Sequence, residues 1–108
     1  VYKRNLQSII SMCKNDNTTV VLNTFCHYLY ENISDSQLHR KYSSIVSCEN
    51  KIMNSLAYDN NLLLVDNAKN INFKEELFVD SIHFSVKGMK VLATNIGEKL
   101  MQSYSKYF

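Results

Sequence analysis

With 108 residues, 45% of them hydrophobic and 20% charged, the chain has the size and apolar content of one modest domain, which excludes a disordered segment and two independent cores. A net charge of +2, with no basic cluster denser than Tyr2-Lys3-Arg4, argues against a phosphate-tracking nucleic-acid face. No apolar run approaches the roughly 20 residues that span a bilayer. Cys13, Cys26 and Cys48 are widely spaced and form no C-x-x-C pair, so they are read as small apolar residues and not as a zinc site or a disulfide framework. The sequence opens on Val1 directly into a helical pattern, and we expect further sequence to precede it.

The first element is an amphipathic helix from Tyr2, with Leu6, Ile9, Ile10 and Cys13 at helical spacing, closed by the turn-rich "KNDNT". Thr19 to Phe25, "TVVLNTF", is a continuous β-branched and apolar run without helical spacing, which predicts a buried parallel strand. After a loop around "CHYLYENISD", Ser34 and Gln37 fit a capping box, and Leu38, Tyr42, Ile45, Val46, Ile52, Met53 and Leu56 then fall on one face of a long helix. "LLLVD", Leu62 to Asp66, reads as a second buried strand. The polar "NAKNINFKEEL" is expected to be irregular. Ser85 is placed to cap a last helix, with Phe84 reaching Met89 as a hydrophobic staple and Met89, Leu92, Ala93, Ile96, Leu100 and Tyr104 as its buried side.

Helix, strand, helix, strand, helix predicts an α/β protein with a parallel sheet covered on both faces. A parallel pair alone has two open edges, so neighbouring strands are expected N-terminal to Val1. Pro is absent and Gly occurs twice, which leaves the abundant Asn to take many turns. There is no internal repeat and no linker dividing the chain.

The chemistry concentrates at "FVDSIHFSVKGMKVLA", where Asp80 stands three residues before His83. Imidazole titrates near neutrality, so it can take a proton from a hydroxyl and return it to a leaving group, provided that one ring nitrogen is held by an acceptor. Asp80 is spaced to curl back onto Nδ1, leaving Nε2 for a nucleophile. The bland alternative is a polar turn at a helix entrance. Open α/β sheets carry their ligand crevice beyond the carboxyl ends of the strands, where this segment is expected to lie.

In Asp80, His83, Ser85, Gly88, Leu92 and Ala93 this block resembles the last block of the SGNH hydrolases, the GDSL family of esterases and lipases. Upstream, "TVVLNTF", the long helix with Tyr42 and Asn50, and "LLLVD" follow the order of the C-terminal half of that fold. The resemblance implies a three-layer α/β/α, flavodoxin-like fold, residues 1–108 forming the C-terminal part of one domain whose N-terminal strands are missing. It implies an esterase acting on carboxylic esters through an acyl-enzyme, with His83 as base and Asp80 as its orienting acid. It implies no metal and no organic cofactor, and as partner a small-molecule, carbohydrate or lipid acyl ester.

The chain departs from the family in lacking both the Gly-Asp-Ser-Leu motif and the Gly-x-Asn-Asp motif. "KND" at Lys14 to Asp16 follows a helix and is read as a turn, while Ser81 and Ser85 are read as capping and surface groups, not nucleophiles. The polypeptide by itself is therefore expected to be inactive. Two alternatives stay open: a non-catalytic interaction module using the exposed sheet edge, and an acyltransferase on the same plan. Lesser candidates are His27, grouped with Phe25, Cys26 and Tyr28 around a loop; His39 on a helix surface; a zinc site from His27, His83 and a carboxylate; Asp66, either pointing into the crevice or capping a turn; and the aromatic terminus "YSKYF". Compartment and oligomeric state are left open.

Overall fold

The computed structural model describes residues 1–28, 36–71, 74–80 and 82–104. Ser34, Ser81, the side chains of Leu38 and His39, and all of "YSKYF" beyond Tyr104 lie outside the described residues. Helix α1 (Tyr2–Asn15) leads to strand β1 (Val21–Asn23), helix α2 (Ser36–Asn60), strand β2 (Leu63–Val65), short helix α3 (Asn67–Asn70), a 3-10 turn (Glu75–Leu77) and helix α4 (Val86–Tyr104). The strands pair in parallel, Val21 opposite Leu63, Leu22 opposite Leu64 and Asn23 opposite Val65. A parallel pair needs a long crossover, which α2 supplies.

The pairing register sorts side chains between the two faces. Leu22 and Leu64 share one face and pack with Ile10 and Leu6 of α1 and Ile52, Leu56 and Ala57 of α2. Asn23 and Val65 share the other. There the Asn67 amide donates to Asn23 Oδ1 at 3.3 Å, and Asn95 of α4 donates to Asn67 Oδ1 at 2.7 Å. Helices α1 and α2 thus cover one face and α4 the other, the three-layer α/β arrangement expected from the element order.

The buried faces differ in detail from the periodicity reading. On α1 the core side is Leu6, Ile10 and Cys13, and Ile9, one residue or about 100° off that line, is 49% exposed. On α2, Met53, Leu56 and Ala57 are buried while Tyr42 and Ile45 are exposed. A 25-residue helix spans about 37 Å, far beyond a three-residue strand, so its first half runs past the sheet. On α4 the buried line runs through Gly88, Val91, Leu92 and Asn95, and Met89 and Ala93 are exposed. The segment expected to be irregular contains α3 and the 3-10 turn, and contributes Ile71 and Leu77 to a second core with Cys26 and Phe78. Of the cysteines, which are all free, Cys26 is buried, Cys13 half-buried and Cys48 exposed.

The turns follow the Asn-rich composition. Asn17 after α1 and Asn61 after α2 hold φ of 54° and 53°, the left-handed region that Asn tolerates better than most side chains. "KND" is the end of α1: Lys14 Nζ donates to the Asn60 carbonyl and to Asn60 Oδ1, tying the two helix ends together.

The rotation of α4 has a steric origin at Gly88. A Cβ built there lies 1.9 Å from the Leu77 carbonyl oxygen and 2.8 Å from Phe84 Cδ1, so only glycine lets this helix seat against the 3-10 turn. Gly97, on the same helix, has nothing within 4 Å of its Cβ position. The two glycines should respond oppositely to Ala in chemical denaturation of the full-length protein. Gly97→Ala raises stability by roughly 0.5–1 kcal/mol through helix propensity, whereas Gly88→Ala lowers it by about 1–3 kcal/mol through overpacking.

Candidate functional site

The last segment before α4 is a closed loop. Phe78 and Phe84 form an antiparallel bridge, flanked by Val79 N–H donating to the His83 carbonyl at 2.9 Å and Ser85 N–H donating to the Leu77 carbonyl at 2.9 Å. The phenyl rings stack at 4.9 Å between centroids, and Tyr28 stacks on Phe78 at 5.6 Å. Below the bridge, Ser85 Oγ donates to the Glu76 carbonyl at 2.7 Å and accepts from Gly88 N–H at 3.1 Å, which makes it the cap of α4. A 2.9 Å ion pair between Lys87 and Glu76 spans the same junction. Phe84 is spent on Phe78, so the expected staple to the exposed Met89 is replaced by the ring stack.

Asp80 organises the loop from within. Its Oδ1 accepts from Ile82 N–H at 2.9 Å and from His83 N–H at 2.8 Å, an Asx-type turn. The same carboxylate meets His83 Nδ1 at 2.8 and 3.0 Å. Three hydrogen-bond donors hold the Asp80 acid down to about 2, the Ile82 backbone first, then the His83 ring, then the His83 backbone. An ionised carboxylate only accepts, so Nδ1 carries the proton and Nε2 of the neutral ring is the lone-pair nitrogen. Nε2 has no hydrogen-bond partner among the described residues, and the imidazole is 68% exposed.

The loop lies beyond the carboxyl end of the sheet. Strand β1 runs into Thr24–Tyr28, and Tyr28 is the residue that stacks on Phe78. The strand ends are cross-tied by polar side chains: Thr24 Oγ1 donates to Asp66 at 2.9 Å and accepts from Ala68 N–H at 2.9 Å, while Asp66 caps α3 by accepting from Lys69 N–H. Asp66 is therefore a cap and not a crevice acid. Asn67, 1% exposed, satisfies its amide on Asn23 and Thr24 and its carbonyl on Asn95, as a buried polar group must.

The structure separates residues that the sequence reading grouped. Cys26 and Tyr28 turn towards the Phe78 cluster, whereas Phe25 and His27 line a surface groove of about 310 Å³ against α2. Asn50 of α2 holds that segment, accepting from Phe25 N–H at 2.8 Å and donating to the Phe25 carbonyl at 2.9 Å. Burial and the nearby Asp66 push the Cys26 thiol up to about 12, which keeps it protonated and unreactive at neutral pH. Among the described residues no group of three His, Cys, Asp or Glu side chains is arranged to hold a metal ion. No described helix is long and apolar enough to cross a membrane.

The supports of the loop, Phe78, Phe84, Tyr28 and Gly88, were not singled out as a unit from sequence. The signal that was present is a pair of phenylalanines bracketing the D-x-x-H, the pattern of two strand ends closing a short excursion.

The chain is similar in structure to a GDSL-like lipase from Bacteroides thetaiotaomicron, with a TM-score of 0.73 over 94% of this chain at 13% sequence identity. The chain spans about half of that protein, 51% of its length. The likeness establishes a partial GDSL-lipase-like α/β fold. No protein-family model matches the chain, and a search of curated proteins finds no match in sequence.

The Asp80 carboxyl supports a titration prediction. A carboxyl held at about 2 when folded, against about 3.9 in an unfolded chain, adds stability that is fully present above the unfolded value and is lost as pH falls through about 2. Carboxyl-carbon NMR should place its midpoint near 2. In His83→Ala the midpoint rises but stays below the ordinary range, because the backbone donors of residues 82 and 83 remain.

Proposed function

We propose that the chain is the C-terminal part of an SGNH-type serine ester hydrolase, in which His83 is the general base and Asp80 its orienting partner. The observation that carries this reading is the Asp80 grip on Nδ1, which leaves the Nε2 lone pair exposed beyond the carboxyl end of a parallel sheet. The lipase-like fold and the block from Asp80 to Ala93 support it.

The nucleophilic serine comes, on this reading, from an N-terminal part of the full protein. Its hydroxyl proton passes to Nε2 as Oγ attacks the ester carbonyl, forming a tetrahedral oxyanion. Collapse breaks the bond to the alcohol, and the proton on Nε2 goes to the departing alkoxide, giving a neutral alcohol and an acyl-serine. Water then gives a proton to Nε2 and adds its hydroxide to the acyl carbon, and Oγ leaves with that proton as the carboxylic acid is released. Asp80 stays ionised throughout and stabilises the imidazolium; it takes up no proton. No described serine beside the pair competes for the nucleophile's role, since Ser85 Oγ is engaged in capping α4.

The test is hydrolysis of a short acyl nitrophenyl ester by the protein expressed from the full reading frame. His83→Ala should lower kcat roughly 10²–10⁴-fold, and unchanged turnover in that variant sinks the assignment.

A second reading, an interaction module without catalysis, draws on one feature: among the described residues β1 pairs with β2 alone, leaving outer strand edges open to another strand. Absence of ester turnover in the full protein favours it. An acyltransferase would show itself in the same assay by faster nitrophenol release when a second alcohol is added as acceptor.

A further inference from the structure

We infer that helix α1 continues upstream of Val1 for roughly two more turns, and that the added part packs on the first half of α2, over Tyr42 and Ile45. The inference rests on the N-terminal part of the protein that the hydrolase reading requires, and on no catalytic step.

Helix α2 keeps one apolar side through both of its halves. Tyr42, Ile45, Ile52, Met53 and Leu56 fall within about 100° of one another around the helix axis. In the second half that side is covered: Met53 and Leu56 are 4% and 1% exposed, and Ile52 and Leu56 pack with Leu6 and Ile10 of α1. In the first half it is open, with Tyr42 43% and Ile45 44% exposed. The side and the residue types are the same in both halves, so what changes is the cover.

The lie of α1 decides which element reaches the open half. Lys14, in the last turn of α1, bonds Asn60 at the end of α2, with Nζ donating to Oδ1 at 3.2 Å. At the other end, burial and then the Glu49 carboxylate raise the pKa of the Tyr2 phenol, which puts Tyr2 near Glu49. The two helices therefore run parallel and in step. Ile45 and Tyr42 stand about one and two turns before Glu49 on α2, so the axis of α1, prolonged past Tyr2, passes over them. The three-residue strands do not extend that far along α2.

The first turn of α1 also has the chemistry of a helix interior. The Val1 carbonyl already accepts the helical bond from Asn5 N–H at 2.9 Å, and Val1 makes no side-chain capping bond. Lys3 and Arg4 occupy that turn without an acid, a charge that opposes the dipole at a true helix start and is neutral in the middle of a longer helix. The matched part is 51% of the GDSL-like lipase of similar fold, so that protein has nearly as much chain again outside it.

The test uses the protein expressed from the full reading frame. p-Benzoylphenylalanine placed at Ile45 and activated by light should attach, within the same molecule, to the tryptic peptide that ends at Lys3, read by mass spectrometry. Hydroxyl-radical footprinting of the unsubstituted protein should find Tyr42 protected relative to Tyr58, which is 88% exposed on the same helix. Tyr42→Ser should lower the thermal midpoint by roughly 5 °C or more, and Tyr58→Ser should leave it within about 1 °C. A crosslink that joins two copies, runs to another segment or does not form overturns the inference. So does a Tyr42 labelled as fast as Tyr58, or a proline encoded within the two turns before Val1. None of these readouts uses ester turnover: an inactive protein with the expected crosslink keeps the helix and loses the hydrolase, and an active one without it does the reverse. A native start at Val1 overturns both.

Discussion

The close approach of α4 to the Leu77 carbonyl, possible only because residue 88 lacks a side chain, is the contact on which the His83 loop depends. It brings the start of the helix down onto the 3-10 turn, close enough for Ser85 to bond both Glu76 and Leu77. Those bonds draw Phe84 against Phe78 and close the bridge. Beyond the closed bridge, Asp80 gathers the N–H groups of Ile82 and His83 and the His83 ring nitrogen. The exposed imidazole is thus held by a short loop clamped at its base, with one soft degree of freedom, the ring torsion, removed by the carboxylate.

The rest of the fold supplies an anchor for that clamp. Two cores lie on opposite faces of a narrow sheet, one built on Ile10, Leu22, Leu56 and Ala57, the other on Cys26, Ile71, Leu77 and Phe78. Between them the strand ends carry a chain of polar contacts from Asn23 and Thr24 through Asn67 to Asn95. Such a chain is directional where apolar packing is not: it sets the height of α4 along the sheet, and through α4 the position of the Phe78–Phe84 bridge. The second core and the polar chain thereby join the sheet to the loop bearing His83.

The electrostatics of the loop divide labour between its two titratable groups. Asp80 remains charged at any pH near neutrality because hydrogen bonds from Ile82 N–H, the His83 ring and His83 N–H stabilise its anion. It can therefore impose one tautomer on His83 without exchanging a proton with it. Val79 and Ile82, in the same loop, are large apolar side chains open to solvent.

Local signals determined much by themselves. Continuous apolar runs placed both strands, helical spacing placed α1, α2 and α4, Ser85 marked the cap of α4, and the Asp80–His83 spacing foretold a hydrogen bond that depends on only three residues of chain. These are interactions between near neighbours, and sequence records them directly. Tertiary structure alone decided which side of each helix is buried, because that follows from what the helix meets: the Leu77 carbonyl turned α4 towards Gly88 and Val91 and left Met89 in solvent. It also decided that Asn67 is core and that Phe25 and His27 part company with Cys26 and Tyr28. Each of those depends on contacts between segments distant in sequence or on strand pairing, for which periodicity along one segment carries no information.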